Sequence, residues 1–477
     1  MKRLGGLAVL LLLLPLVAMP ASAADQSRPN IVLILADDLE YGTLQNFPAI
    51  TSHLVRQGAS FDRAIVTNSW CCPSRASLLR SQYVHSHTVW TNTAPEGGFD
   101  RFHLAGLENS TVGAWMRGAG YRTGLMGKYL NHYPGTSVPA TYVPPGWDQW
   151  AVPVKRLYEE YDYTLNENGR LVEYGWDEED YLEDVLARKA KEFVSAPGTQ
   201  PFFLYLAPVA PHNPANPARR HADAFPDAQA PRTPNYNQAD VHKEPQWLRD
   251  LPEISWAGEE RIDERHRARL RAMLGVDDLV NTVVTALQAA GKLDNTYIFF
   301  ASDNGFHLGT HRLRLGKTTP FEEAVKVPLV VRGPGVAPGS TITALTQPVD
   351  YAPTFAELAG IPAPAFAEGR SLVPLLRGLN PPSWRRNALI EFARPTNQAA
   401  NRQTLTPAYA ALRTATHTYV KYVTGETQLY DLTTDPYQLN NLAATAPPEL
   451  LSNLQARLDA MRTCSGATCR TADAWER

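Results

Sequence analysis

Cys71-Cys72-Pro73-Ser74-Arg75 sets two thiols, a proline and a guanidinium side by side. Adjacent cysteines rarely bridge each other, and the other two, Cys464 and Cys469, are spaced closely enough near the C-terminus to pair together. Cys71 and Cys72 are then left without partners. An unpaired thiol in an oxidising compartment is a liability unless it is buried or chemically employed. The stretch reads as the start of a helix, with Pro73 in its first turn and Ser77-Leu78-Leu79 continuing it. A side chain at position 71 would meet free backbone N–H groups and the positive end of the helix dipole, both of which favour an anion nearby.

A second set of reactive side chains follows apolar runs. Asn30 to Ala36 (NIVLILA) suits a buried central strand and stops at Asp37-Asp38. Arg122 to Gly127 follows a helical stretch, Thr111 to Ala119, and stops at Lys128. Phe202 to Pro208 follows the amphipathic Tyr181 to Val194 and runs into Ala210-Pro211-His212. Tyr297 to Ser302 follows the long helical stretch Glu264 to Ala290 and stops at Asp303-Asn304-Gly305. Alternating strands and helices predict an α/β fold with a mostly parallel sheet covered by helices. Such sheets bind ligands outside the carboxyl ends of their strands, so these residues meet in one crevice if the four strands are neighbours. Singly, an Asp-Asp pair is as readily a helix cap, and Asp-Asn-Gly is a common turn.

Asp37, Asp38, Asp303 and Asn304 offer a hard, all-oxygen donor set, which favours calcium or magnesium over zinc. Calcium suits an exported protein. A divalent ion there would hold an oxyanion and acidify a nearby hydroxyl. With Arg75, Lys128 and Lys317 adding positive charge, the set describes a pocket for a tetrahedral oxyanion, phosphate or sulfate.

Residues 1–24 read as a secretory signal: Lys2 and Arg3, the apolar Leu7 to Val17, and Ala21-Ser22-Ala23 for cleavage. The apolar run is short for a membrane span, and the mature protein is expected to be secreted or periplasmic, with no membrane partner. Losing Lys2 and Arg3 takes the net charge from −3 to −5. That argues against a nucleic-acid partner. The chain's 477 residues exceed the usual size of one domain, and its 38 prolines imply stiffened loops, densest from Pro208 to Pro252.

These motifs resemble the sulfatase family across nearly the whole mature chain. Cys71-x-Pro73-Ser74-Arg75 with Ala76-Ser77-Leu78-Leu79 is similar to the family signature, whose first cysteine is oxidised after translation to formylglycine (3-oxoalanine) by a formylglycine-generating enzyme. Arg28-Pro29-Asn30-Ile31-Val32, Gly127-Lys128, Ala210-Pro211-His212, Ser302-Asp303-Asn304-Gly305 and Gly369-Arg370-Ser371-Leu372 extend the likeness. The chain departs at Arg80-Ser81, where the family usually has Thr-Gly, and keeps the minimal Cys-x-Pro-x-Arg recognised for oxidation. Leu130 stands where many relatives have a histidine. That variant, the doubled Cys71-Cys72, Asn304-Gly305-Phe306-His307 and the terminal Cys464 to Arg470 motif look like the N-acetylglucosamine-6-sulfatase branch, which acts on heparan and keratan sulfate.

The resemblance implies an alkaline-phosphatase-like fold and a sulfated carbohydrate or aryl sulfate substrate. It makes Asp37, Asp38, Asp303 and Asn304 the calcium ligands, with the modified Cys71 also at the ion. Arg75 and Lys128 would stabilise the hydrated nucleophile, and His212 and Lys317 would bind sulfate and protonate the leaving alcohol. A hydrated aldehyde carries two hydroxyls on one carbon, so one attacks sulfur and the other expels sulfate as the aldehyde re-forms. Asn92, Asn131, His307 and His311 are candidate substrate-binding residues.

The architecture expected is a catalytic domain over 25–377 and a small C-terminal α+β unit over 378–477. Strands in the latter are predicted near Asn387 to Phe392, Tyr409 to Arg413, Thr418 to Val423 and Gln428 to Leu432, with a helix from Glu449 to Met461. Asn109-Ser110-Thr111 is a glycosylation sequon. Two other readings use the same residues: a phosphodiesterase or phosphonate monoester hydrolase, and a non-catalytic sulfated-glycan-binding protein in which Cys71 stays a thiol.

Overall fold

The computed structural model describes residues 28–396 and 405–475, so the signal segment predicted over 1–24 lies outside the described residues. Its centre is β1 (Asn30–Ala36), fully buried along its length. Ile31, Leu33 and Leu35 point into one apolar core, and Val32, Ile34 and Ala36 into another. This is what strand periodicity demands of a run covered on both faces. The first core packs the sheet against the helices Cys71–Arg80, Val112–Gly118 and Tyr351–Leu358. The second packs it against Leu182–Ser195 and the long helix Trp256–Ala289.

Nine further strands complete this sheet: β2 (Ala59–Phe61), β3 (Arg122–Gly127), β4 (Gln149–Lys155), β5 (Tyr163–Glu167), β6 (Arg170–Tyr174), β7 (Phe202–Ala207), β8 (Thr296–Ser302), β9 (Leu329–Arg332) and β10 (Ser340–Ile342). Their order is β10-β2-β9-β8-β1-β7-β3-β4-β5-β6. The block β8-β1-β7-β3-β4 is parallel, whereas β9, β5 and β6 join by antiparallel pairing. The four strands that end in reactive residues are therefore consecutive neighbours. The sequence reading did not place β2, β4, β5, β6, β9 or β10. β2 and β10 are three residues long and pair across distant parts of the chain, whereas β5 and β6 form a local hairpin whose second strand is largely exposed and carries no buried apolar run.

A second sheet, β11 (Ala388–Phe392), β12 (Tyr409–Arg413), β13 (His417–Tyr422) and β14 (Thr427–Asp431), is antiparallel and in sequence order. These strands fall where the sequence predicts them. Ile390, Phe392, Tyr409 and Val420 face the core that holds the Cys71–Arg80 helix. Leu389, Leu412 and Leu429 pack on Leu454, Leu458 and Met461 of the helix Pro448–Arg462. Cys464 and Cys469 form the expected disulfide, and Cys71 and Cys72 are free and buried.

The tail is tied in by a buried ionic knot. Arg385 donates to both carboxylate oxygens of Asp350 at 2.7 Å and to Asp473 at 3.0 Å, with every side chain shielded from solvent. Removing one partner of such a set strands a buried charge. Arg385→Ala is expected to cost about 3–5 kcal/mol, read as a lower urea midpoint. An unchanged midpoint would show that the knot does not hold the tail.

Candidate active site

The reactive residues come together because of how neighbouring strands end. Lys128 follows Gly127, whose φ is +98° and where a Cβ would lie 2.1 Å from the Ala207 carbonyl. Only glycine lets β3 and β7 close at that point, and it delivers the Lys128 amine into the crevice. Asp38 sits in the left-handed region at φ 70°, and its N–H donates to Asp303 Oδ1 at 3.1 Å. Behind it, the buried Arg269 donates to the Asp38 carbonyl, to the Pro211 carbonyl at 2.9 Å and to Glu40 at 2.7 Å. One guanidinium thus fixes the loops after β1 and β7 relative to each other.

Cys71 opens its helix, and all of the helix Cys71–Arg80 is buried. Ligand atoms of Asp37, Asp38, Cys71 and Asp303 all lie within 4.8 Å of one another. Cys71 Sγ is 3.4 Å from Asp37 Oδ1 and 3.7 Å from Asp38 Oδ1. Three cations face this ring. Arg75 Nε donates to Asp303 Oδ2 at 2.7 Å, Lys128 Nζ to Asp37 Oδ2 at 2.5 Å, and Lys317 Nζ to Asp38 Oδ1 and to Cys71 Sγ, the latter at 2.7 Å. Three carboxylates against three cations leave the cluster neutral, so an added divalent ion would make it strongly positive. Asn304 Oδ1 is buried without a hydrogen-bond partner, while its Nδ2 donates to Asp38 Oδ1 at 2.7 Å. Such an unpaired amide oxygen beside three carboxylates can serve as a fourth hard donor.

Burial pushes the Asp37 carboxyl up, but Lys128, His212, Arg75 and Lys317 outweigh it and hold Asp37 far below the usual range. Asp38 is lowered in the same way, against burial, by Lys317 and His212. Asp303 goes the other way, since burial and the Asp37 charge exceed the pull of Arg75. Burial and Asp37 also push the Cys71 thiol well up, so at neutral pH the sulfur is protonated despite the lysines beside it. A buried neutral thiol is a weak nucleophile.

His212 stands at the edge of the cluster. Its Nδ1 donates to the Asn213 carbonyl at 2.7 Å, which fixes the tautomer and leaves Nε2 facing Asp38 Oδ2 at 3.8 Å. Burial lowers its pKa against the opposing pull of Asp37 and Asp38. Tyr158, a residue that no motif marks, lies parallel to the imidazole with ring centroids 4.0 Å apart. Lys128 Nζ is 5.1 Å from the same phenol ring, and Asn131 Nδ2 donates to its hydroxyl at 3.2 Å. Glu183, another residue outside the motifs, accepts the Ala210 N–H at 3.3 Å and faces the buried Glu160. Burial and then Glu183 push Glu160 well above the usual range, so this pair holds a proton. Tyr158 carries no sequence signal of its own, because it follows β4, a strand that the sequence reading did not place.

The other candidates are placed differently. Asn92 Oδ1 accepts the Cys72 N–H at 2.9 Å, capping the helix that carries Cys71. Asn131 is buried beside Tyr158, and its Oδ1 has no hydrogen-bond partner. His307 is buried between the hydroxyls of Thr310 and Thr319, at 2.8 and 2.6 Å. His311 is stacked on Phe321 and bonded to Asn235 and Gln238. Neither histidine keeps a free ring nitrogen, so both pack the loop that leads to Lys317.

Comparison with known proteins agrees with this geometry. The sulfatase family model matches residues 29–361, and a model described as N-sulphoglucosamine sulphohydrolase, C-terminal, matches 309–464. The chain is 34% identical to the N-acetylglucosamine-6-sulfatase of Capra hircus over 94% of its own length and 86% of that protein. Among solved structures, one in complex with its substrate D-glucosamine-2-N,6-O-disulfate is similar at a TM-score of 0.77 and 22% identity, covering 94% of this chain and 99% of the other. The phosphonate monoester hydrolase of Agrobacterium radiobacter is similar at 0.72 and 23% identity, covering 91% and 96%. The matched family model spans the strands that carry Asp37, Lys128, His212 and Asp303 together with the helix of Cys71, and on that match the chain belongs to the sulfatase family and is a sulfuric ester hydrolase.

Proposed function

We propose that this protein is an exported sulfatase that removes 6-O-sulfate from N-acetylglucosamine residues of glycosaminoglycans, using a formylglycine hydrate derived from Cys71 and a calcium ion. The observation that carries the reading is Cys71 itself: the first residue of a buried helix, its side chain aimed into a ring of three carboxylates and three cations. The relative from Capra hircus and the neighbour bound to a 6-O-sulfated glucosamine support the choice of sugar. Export rests on the N-terminal signal pattern.

The residues fit the ion. Asp37, Asp38, Asp303 and the unpaired Asn304 Oδ1 are hard oxygen donors, and they outnumber the softer candidates beside them, Cys71 Sγ and the His212 imidazole at the edge of the ring. A bound calcium supplies positive charge to a sulfate oxygen and to the nucleophile. The aldehyde hydrate supplies an attacking hydroxyl and a second hydroxyl that releases the sulfate. The surrounding residues orient these groups. Lys128 and Arg75 hold the side of the nucleophile that faces Asp37, and Lys317 Nζ, beside Cys71 Sγ, is placed to bind a sulfate oxygen. Asp303, in the ring beside Cys71, is placed to take the hydroxyl proton. His212 Nε2 faces the pocket with its lone pair; a proton taken up there, which the Asp37 and Asp38 charges favour against burial, makes the imidazolium that can hand that proton to the leaving sugar oxygen, with Tyr158 fixing its plane.

The likeness to a phosphonate monoester hydrolase keeps one competing substrate class open, because the same cations would hold a phosphonate. Comparing turnover of an aryl sulfate with that of an aryl phosphonate monoester decides between them.

Four outcomes are expected. The tryptic peptide containing Cys71 should be lighter than the thiol form by about 18 Da, the exchange of hydrogen sulfide for oxygen. Cys71→Ala and Cys71→Ser should abolish multiple turnover while Cys72→Ala keeps most of it, and the reverse pattern would overturn the assignment. Chelation with EGTA should remove activity and added calcium restore it; full activity after metal-free dialysis would exclude the ion. His212→Ala and Tyr158→Ala should slow an alkyl sugar sulfate by about 10²-fold and 4-nitrophenyl sulfate much less, since a nitrophenolate leaves without a proton. Tyr158→Phe, which keeps the ring, should retain most of the rate, and equal losses on both substrates would remove the acid role.

A further inference from the structure

Two glutamates stand together where neither meets a cation. Glu160 is 1% exposed and Glu183 is fully buried, and their side chains hydrogen-bond each other. Neither Oε2 atom meets an N–H or hydroxyl donor. A bond between two carboxyl groups needs a proton on one of them, and two carboxylates in contact away from water cannot both ionise. Burial, then Glu183, then Asp37 at the end of β1 push Glu160 up, and no cation is among the groups that act on it. Burial also pushes Glu183 up, but the bond from Glu160 and the N–H groups of Ala210 and Val209 pull against it, which makes Glu183 the acceptor of the two.

The two glutamates belong to the two segments that meet at His212. Glu183 lies in the first turn of the helix Leu182–Ser195 and accepts the N–H of Ala210, at 3.3 Å, and that of Val209. These residues open the turn that ends in His212, whose own N–H donates to the Val209 carbonyl at 3.0 Å. Glu160 lies on the loop between β4 and β5, two residues after Tyr158, whose ring covers the His212 imidazole at 4.0 Å. Its carbonyl accepts the Leu182 N–H at 3.0 Å, and its backbone sits at φ +64°. A residue other than glycine stays in that left-handed region only where its surroundings hold it. The other titratable groups at this corner are Tyr163 of β5 and Tyr181, both kept neutral by burial. The long helix Trp256–Ala289 reaches the corner at Gly275, against the Tyr181 ring.

We propose that Glu160 and Glu183 are positioning residues for His212: one proton, shared between their carboxyl groups, clamps the loop of Tyr158 to the Val209–His212 turn and so keeps the imidazole and its covering ring in register. This rests on the acid role given to His212 above and deepens it. Neither glutamate belongs to the ring of Asp37, Asp38, Cys71 and Asp303. The clamp fails if its donor is removed, and it fails if the pair ionises, when two buried negative charges would drive the loop and the turn apart.

The test compares two variants of the full-length protein. Glu160→Gln keeps a donor toward Glu183 and cannot ionise, whereas Glu160→Ala has no donor. On N-acetylglucosamine 6-sulfate, Glu160→Ala should lower kcat about tenfold at unchanged KM, and Glu160→Gln should keep kcat within about twofold of the parent. On 4-nitrophenyl sulfate, whose leaving group needs no proton, both should stay within about twofold. Equal losses of Glu160→Ala on the two substrates, a parent-like Glu160→Ala, or a Glu160→Gln as slow as Glu160→Ala would each overturn the proposal. A second measurement reads the proton itself and needs only the isosteric variant. The folded pair keeps a proton that an unfolded glutamate releases above about pH 4.3, so the parent loses stability as pH rises from there, and Glu160→Gln has no such proton to lose. The urea midpoint of Glu160→Gln relative to that of the parent should therefore rise from about pH 5 to about pH 7. A difference that stays flat over that range overturns the shared proton. If His212→Ala slows both substrates alike while the pH-dependent difference persists, the acid reading fails and the clamp stands.

Discussion

Three carboxylates buried within one small ring of atoms are the constraint around which this molecule is built. Asp37, Asp38 and Asp303 repel one another and have lost their water, so each must find a cation inside the protein. The partners come from far along the chain: Arg75 from a helix, Lys128 from the end of β3, Lys317 from the long loop after β8. The order β8-β1-β7-β3 is what allows this, because it stacks four strand ends edge to edge. Arg269 and the glycine at 127 then hold the loops at the spacing the charges need.

The catalytic half of this arrangement is legible in the sequence because it is written at the ends of apolar runs. Asn30 to Ala36 reads as a central strand from composition alone, and the charged residues after it and after three similar runs predict a shared crevice. The small sheet is equally plain, since β11 to β14 follow one another and pair with sequence neighbours. What stays hidden depends on distant partners. β2 is only three residues long and pairs with β9 and β10, so nothing local distinguishes it from a turn. Tyr158 has no motif, and its meaning comes from His212, which lies on another strand end. His307 and His311 look chemically available in the sequence and turn inward, because their ring nitrogens satisfy the loop that carries Lys317. The direction in which a loop side chain points is a tertiary fact.

The small sheet belongs to the same cooperative body as the site. One of its faces packs into the core that contains the Cys71 helix, and Asn68 Nδ2 donates to the Glu391 carbonyl at 2.6 Å just before that helix begins. The Arg385 knot then fastens the last helix to the segment after β10. Damage at the C-terminal end therefore reaches the reactive centre through packing, without any contact to substrate.

The complete burial of Cys71 has a consequence for when its side chain can be altered. With no accessible surface, the sulfur is out of reach of any enzyme once β8 has docked against β1. Asp303, at the end of β8, follows Arg75 by 228 residues. At ordinary rates of synthesis that separation amounts to roughly 10–45 s during which the cysteine is still open. If Cys71 is converted as proposed, the position that would make this side chain useful in the finished protein also sets a deadline on its conversion, which must precede the docking of β8.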